Sequence, residues 1–328
     1  MNNIKKYSGI VLLVFLFLIK IQDSNFVRKV ENISYDAYQS FFIENSDFDG
    51  VVIIDIDEKS IGEIGQFPWR RDIFADLIKK LNQYGVSVIT FDVFFSEEDK
   101  QNPKKILGEF NINNDTVIDS DQKFLESIQL SNVVLPVLGD TSMYNKNNSS
   151  KPKTNIISKG GDVSDYTYSF KNKITSLEKF NNAAKGVGTI SYLDSPDAVL
   201  RSVPILLKIA DDIWPSLSLE TLRVLHGHKN ILINSDQTGI NLIKTRKYQI
   251  EPDRNAIVHI NYKQFNKKNY IPAVDILNQN INANKLRDKI AIIGSSAQGI
   301  FDFVKIPNGN VIPGVETHAH LIENIINN

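Results

Sequence analysis

The pattern of apolar and polar positions divides the chain into an apolar head, a helical stripe and a long body of mixed periodicity. Phe26, Val30, Ile33, Ala37 and Phe41 recur three and four apart, which is the spacing of one helix face. "VVIIDI" (51–56) is a short β-branched run and predicts a buried strand. Between Arg71 and Tyr84, the positions Ile73, Phe74, Leu77, Ile78 and Leu81 form a second helical stripe, and Gly85 stands where a left-handed residue closes a helix. "VSVITFDVFF" (86–95) predicts the next strand. Strand, helix and strand in this order predict a right-handed βαβ unit and a parallel sheet.

Residues 96–122 are polar, broken only by Ile106 and Leu107, and "FLESI" and "NVVLPVL" then predict a helix and a strand. Residues 140–173 are rich in Asn, Ser, Lys and Gly and predict a mobile surface loop. "GVGTISYLDSPDAVLRSVPILLKI" (186–209) reads as two strands around a turn, "SLSLETLRVLHG" as a helix, and 229–262 as short antiparallel strands. "KIAIIGSSAQG" (289–299) is a buried strand entering a glycine-bounded loop, and "GVETHAHLIENII" (314–326) an amphipathic helix. The expected fold class is α/β: a mainly parallel sheet with flanking helices, joined by strands from both ends of the chain, with a smaller antiparallel subregion and an N-terminal membrane helix.

That last element rests on "MNNIKKYSGIVLLVFLFLIKIQD", a basic start followed by an apolar run from Ile10 to Ile19. From Tyr7 to Ile21 a helix would span roughly 22 Å, against about 30 Å of hydrocarbon. Length favours a signal-peptide core, but Lys20, Ile21, Gln22 and Asp23 offer no small-residue cleavage site, and Lys6 and Lys20 can snorkel. The reading is an uncleaved anchor over 1–22 and an exported domain over 23–328, with a cleaved signal peptide or a buried helix as the alternatives. The remaining bulk properties narrow little. Over 328 residues the net charge is -1, so no nucleic-acid partner is expected. Cysteine is absent, which removes disulfides, thiolate nucleophiles and cysteine metal sites.

The candidate chemistry sits at strand ends. Asp55 and Asp57 are two apart and would share a face of a strand, and Asp92 closes the neighbouring run. Ligands of open α/β sheets gather beyond the carboxyl ends of the strands. The three carboxylates could hold a hard cation, place a nucleophile, or simply cap helices and pair with Arg70 or Arg71. "DIDEKS" has a slight likeness to the first motif of haloacid-dehalogenase-like phosphatases, but Lys208, Asp211 and Asp212 fall in one short stretch where that motif needs separate elements. "GSSAQG" has the gap of a phosphate loop yet is followed by Ile300 and Phe301, not Lys and Ser or Thr; a backbone nest for a small anion stays open. His318 and His320, two apart on a helix, would not share a face, so no metal site is assigned. Trp69 reads as a core or lid residue.

Taken in order, these segments resemble a CHASE domain of the second type (CHASE2). "YDAY" (35–38) matches the family's leading helix. The block 51–99 is similar throughout, with Pro68, Trp69 and Arg71 at its Pro-Trp-x-Arg. "GVGTISYLDSPDAVLRSVPILL" resembles its Gly…Asp-x-Asp-Gly-x-x-Arg-x-x-Pro segment. The closing block from Lys289 carries Asp302, Pro307, Gly314, Val315, His318 and Ala319. Two departures stand out: Asp197-Ala198 where the family has Asp-Gly, which puts a positive-φ turn in question, and Gly-Ser-Ser-Ala where Gly-Thr-Ala is usual.

The resemblance implies a sensory input domain outside the bacterial inner membrane, on the periplasmic side, with no catalysis of its own. It would bind an unidentified small ligand or ion and act on a cytoplasmic cyclase or kinase output, or a partner protein, beyond this chain; it also admits a homodimer. The implied ligand-binding candidates are Asp55, Asp57, Ser60, Trp69, Arg71, Asp92, Asp194, Arg201, Ser295, Asp302 and His318. No cofactor is implied. The rival readings are an exported metal-dependent phosphohydrolase using Asp55 and Asp57, and a non-sensing interaction scaffold.

Overall fold

The computed structural model describes residues 9, 17, 25–46, 49–112, 116–141, 149–193, 195–300 and 303–327. Its centre is a seven-stranded sheet of β1 (Val51–Ile56), β2 (Val88–Phe91), β3 (Val133–Asp140), β4 (Asn172–Thr175), β5 (Gly186–Thr189), β6 (Tyr270–Pro272) and β7 (Ile290–Ser295). The order runs β6–β1–β7–β2–β3, all parallel; β3 also pairs with β5 in parallel and with β4 antiparallel. Strands from both ends of the chain therefore meet in one sheet. The late strand β7 lies between β1 and β2, so the two strands of the expected βαβ unit are not neighbours.

The helices are α1 (Asn25–Phe41), α2 (Glu58–Ile64), α3 (Arg71–Gln83), α4 (Pro103–Glu109), α5 (Ser120–Gln129), α6 (Glu178–Ala183), α7 (Leu217–Leu225), α8 (Ala273–Leu277) and α9 (Gly314–Asn327). Alternation along the strands sends side chains to two cores. Val51 and Ile53 of β1 and Ile290 and Ile292 of β7 join Val315, Ala319 and Ile322 of α9 and Leu219 and Leu222 of α7. Val52, Ile54, Ile56, Ala291 and Ile293 face the other way, onto Phe74, Leu77, Ile78 and Leu81 of α3. Fully burying such a side chain contributes roughly 1.5–3 kcal/mol. On the α3 side, Phe74, Phe91, Phe95, Phe124 and Phe180 form a connected aromatic cluster, with Phe95 and Phe124 centroids 4.6 Å apart.

Several expectations change. The strand expected over 86–95 is ordered only as Val88–Phe91, because the chain turns after Asp92 to carry Phe95 into the aromatic cluster. The segment 140–173 is not a plain loop. Asn155–Lys159 pairs in parallel with Asn230–Asp236, and Ser169–Phe170 pairs with Leu206–Ile209. Asn155–Lys159 lies at a sheet edge with most residues exposed, so burial imposes no apolar alternation on it. The antiparallel subregion holds over Asn230–Asp236, Gly239–Lys244 and Gln249–Ile250. The amphipathic helix expected at 314–326 is α9, and it is buried at every position from Gly314 to Glu323, its polar residues included.

No helix among the described residues is long and apolar enough to cross a membrane. The apolar run Ile10–Ile19 lies, Phe17 apart, outside the described residues.

The packing makes a direct prediction. Phe124→Ala should cost about 3–5 kcal/mol in urea unfolding, whereas Leu130→Ala, at the exposed end of α5, should change stability by no more than about 0.5 kcal/mol. Equal effects would show that the aromatic cluster is not the packed core described.

Candidate functional site

Three adjacent strands finish level with one another. The register pairs Asp55 with Gly294 and Ile56 with Ser295, and the Asp92 N–H donates to the Ile293 carbonyl at 2.8 Å. Asp55 and Gly294 share the parity of Val51, Ile53, Ile290 and Ile292, so they face α9. The first turns of α9 descend onto this rim.

Asp55 is buried, and both its oxygens are engaged by one residue: Ser296 donates its N–H to Oδ1 at 2.9 Å and its hydroxyl to Oδ2 at 2.6 Å. Burial pushes the Asp55 carboxyl up to about 6, against these two bonds and helped by Asp57 and Glu58. Ser295 donates to the Ile56 carbonyl at 2.9 Å and accepts from the Ala297 N–H at 3.2 Å, and the Gln298 N–H donates to Glu58 Oε1 at 3.0 Å. The amides of 296–298 therefore serve Asp55, Ser295 and Glu58. The loop considered as an anion nest holds the protein's own carboxylates.

Asp57 does not extend the strand, which ends at Ile56; it is the N-cap of α2 and accepts from the Ser60 N–H at 2.8 Å. Ser60 is fully buried and its hydroxyl accepts from the Val274 N–H at 3.2 Å, which fixes α2 to α8.

Beside Asp55 lies a second group. Tyr270 of β6 donates its hydroxyl to Glu316 of α9, and His320 Nε2 stands 3.3 Å from the other Glu316 oxygen. Burial first, then Glu316 and the nearby Asp55, hold the Tyr270 hydroxyl well above the usual phenol range. His318 points elsewhere. Its Nε2 is 3.8 Å from Asp92 Oδ1 and has no hydrogen-bond partner, and both side chains are about 95% buried, at 5% and 4% exposure. Its Nδ1 is 3.5 Å from Ser218 Oγ and the Tyr192 ring stacks at 6.2 Å. Burial lowers the His318 imidazole to about 4, so it is neutral at neutral pH. The two histidines occupy different surroundings, as their spacing predicts. No set of three or more metal-ligating side chains occurs among the described residues.

The sheet separates the remaining candidates. Trp69 and Arg71 lie on the α3 face. The Trp69 indole N–H donates to the Gly65 carbonyl at 2.7 Å and its ring packs on Phe67 and Phe74. The Arg71 guanidinium lies 4.7 Å over Phe95 and donates to the Glu97 carbonyl at 3.2 Å, while its backbone N–H donates to Asp99 Oδ2 at 2.9 Å. Burial lowers the Arg71 pKa. Trp69 and Arg71 line an open cavity of about 230 Å³ with the 96–101 loop, on the opposite side of the sheet from Asp55 and Asp92.

Arg201 is a third location, and its partners were not anticipated. It holds Asp36 of α1 through two bonds of 2.7 Å and Asp197 through bonds of 3.0 and 2.7 Å. This paired guanidinium is raised, and it holds the Asp197 carboxyl well below the usual carboxylate range. Ala198, where glycine was expected, does adopt the left-handed conformation with φ 55°. Asp194 and Asp302 lie outside the described residues.

Sequence reasoning thus singled out Asp55, Asp92, Ser295 and His318, which the fold brings to one rim. It missed Tyr270, Glu316 and Ser296 there, and Asp36 at Arg201. Asp36 lies within the "YDAY" motif, but sequence offers no sign that its partner is some 165 residues away.

Comparison with known families gives one match. The family model for the CHASE2 domain matches residues 10–328. The chain belongs to the CHASE2 family, a family of sensory domains. No curated protein and no solved structure matches it.

Two outcomes follow. The Asp55 carboxyl binds its proton more tightly folded than unfolded, so its contribution to stability is present below about pH 4 and is lost as pH rises through about 6. His318 works in the opposite sense, losing stability as pH falls from its ordinary 6.5 through about 4. The stability difference between Asp55→Asn and wild type should therefore grow from pH 4 to 6 and level off at no more than about 2–3 kcal/mol; a pH-independent difference would contradict the assignment. Separately, Ala198→Gly should raise stability by about 1 kcal/mol in urea unfolding, by relieving the left-handed alanine; no change or a loss would contradict it.

Proposed function

We propose that the chain is the input domain of a membrane-anchored extracytoplasmic sensor. Residues 1–22 form its anchor and residues from 23 onward the sensing domain, outside a bacterial inner membrane. A small ligand or ion is read at the α9-side rim by Asp55, Asp92, Glu316 and His318, and its arrival is relayed toward a cyclase or kinase output.

The observation that carries this reading is that α9 has one end in each place. Glu316 and His318 stand at the rim. Two turns further on, Glu323 accepts from the Ser46 hydroxyl at 2.7 Å, and Asn324 exchanges bonds of 2.8 and 3.1 Å with the backbone of Asn261. The strip 259–264 that α9 grips is also the strip on which α1 docks. Tyr35 donates to the Ile260 carbonyl at 2.7 Å, Gln39 bonds both Asn261 and the Tyr262 N–H at 3.1 Å, and the Ile260 N–H donates to the Arg201 carbonyl at 2.9 Å. A change at the rim that shifts α9 acts directly on the seat of α1.

The rim supplies what an effector needs. A buried imidazole whose Nε2 has no hydrogen-bond partner lies 3.8 Å from the Asp92 carboxylate, and an effector that reaches that nitrogen would give it the partner it lacks. Only an effector that binds two arrangements unequally shifts them. The hydrogen bonds seating α1 each contribute about 0.5–1.5 kcal/mol, so a differential affinity of a few kcal/mol matches the joint.

The phosphohydrolase reading is less well supported. Asp57 is committed to capping α2 and both Asp55 oxygens to Ser296. Lys208 and Asp212 lie on a hairpin of another sheet, where Asp212 pairs with Lys151 at 2.8 Å. The scaffold reading leaves the enclosed His318 nitrogen without a role.

The test uses the absence of native cysteine. Spin labels on Ser40→Cys and Asn327→Cys report the α1–α9 distance while magnesium, calcium, phosphate, small amines and small carboxylates are screened. At least one class should raise the melting temperature and change the distance. Asp92→Asn should lose both responses, and Arg201→Met should keep the thermal response but lose the distance change. A panel that moves neither readout would refute the sensor reading, and magnesium-dependent phosphate release abolished by Asp55→Asn would favour the enzyme.

A further inference from the structure

We infer that the outward face of α1 is an interface between two copies of this chain, with their α1 helices packed in parallel. The parallel sense rests on the anchored reading above; the interface itself rests on α1.

The amphipathicity of α1 is reversed relative to its domain. An ordinary surface helix turns its apolar stripe to the core and its polar face to water. Here the face against the domain is polar, with Tyr35, Asp36 and Gln39 hydrogen-bonded to Ile260, Arg201 and Asn261. The apolar stripe is turned outward, with Val30, Ile33 and Phe41 exposed by 46%, 67% and 83% and Ala37 exposed beside them. The stripe anticipated from sequence is real, but the domain does not cover it.

Its spacing suits a second copy. Residues 30, 33 and 37 follow the three-then-four alternation of a two-stranded coiled-coil seam, with Val30 and Ala37 at the a positions and Ile33 at d. The flanks raise no like-charge conflict. In a parallel pair Lys29 of one copy faces Ser34 of the other, and Asp36 faces Phe41, while the Asp36 charge is already met by Arg201. The chain outside the described residues points the same way. Residues 1–24, of which only 9 and 17 are described, contain the apolar run Ile10–Ile19 and precede Asn25–Phe41 in the chain. Two chains anchored by that run would present α1 in the same direction and at the same height. A seam this short is marginal in dilute solution, and confinement to one membrane supplies the effective concentration it needs. A bilayer is a poorer occupant, because an interfacial helix keeps a basic polar face in water, whereas the polar face of α1 is neutral or acidic at 35, 36 and 39 and lies against the domain.

Because the chain has no cysteine, single cysteines report the interface directly. The full chain is reconstituted in liposomes with one cysteine replacing Val30, Ile33, Ala37, Glu31 or Tyr38 and is oxidised with copper phenanthroline. Disulfide-linked dimers should form several-fold faster at 30, 33 and 37 than at 31 and 38, and Ile33→Asp should suppress the cross-link of Ala37→Cys. Equal rates at all five positions, no dimer at any, or a cross-link at one central position alone would overturn the proposal. So would shielding of 30, 33 and 37 from a charged maleimide without dimer formation, which would assign the face to lipid. If the chain fails to sediment with the liposomes yet keeps the 30/33/37 pattern, the interface is upheld and the anchored reading fails.

Discussion

The arrangement depends on one close approach, between Gly294 at the end of β7 and Val315 in the first turn of α9. A Cβ on residue 294 would lie 2.6 Å from the Val315 Cβ, closer than packed atoms allow. Strand parity turns position 294 toward α9, so a missing side chain there lets the helix lie directly on the strand. With Val315 fixed on β7, helical geometry brings Glu316 to Tyr270 and His318 to Asp92 on either side of it, and carries Glu323 and Asn324 to the strip 261–264 two turns on. The rim and the seat of α1 are thereby two ends of one enclosed helix.

The sheet gives the remaining candidates separate tasks. On the α3 face, Trp69 and Arg71 hold the aromatic cluster and the loop after β2 in place. On the α9 face, the loop after β7 spends its amides on Asp55 and Glu58, which removes the obvious place for an anionic ligand and leaves a rim rich in carboxylates. No Lys or Arg among the described residues pairs with Asp55 or Glu316; burial works against the Asp55 charge while the two Ser296 donors favour it, and Glu316 is met by the Tyr270 hydroxyl and the His320 imidazole.

Much of the fold was legible because burial writes itself into short runs. β1, β7, α3 with its closing Gly85, and the strand positions from both chain ends followed from β-branched and three-to-four patterns. What stayed hidden was pairing across the sheet. Tyr270 and Glu316 meet only because β6 falls beside β1 and α9 crosses both, an order that no local pattern encodes. The strand 51–56 has the bounds expected of it, but Asp57, one residue beyond its end, was placed on its face; it caps the next helix by accepting from the Ser60 N–H. The 26–41 stripe identified a helix but not which way it faces, since periodicity does not distinguish a core from an unfilled interface. Ala198 shows the converse, a turn retained in the left-handed region without the residue that favours it.

The central claim, that the rim and the seat of α1 are energetically linked through α9, can be tested without knowing any ligand. Amide hydrogen exchange would be followed in wild type and in Glu316→Gln, which weakens the Tyr270 contact at the far end of α9. Linkage predicts faster exchange across 259–264 and the docked face of α1, with α3 and α5 unchanged. Faster exchange confined to β6 and the first turn of α9 would contradict it, and the two ends of the helix would then be independent.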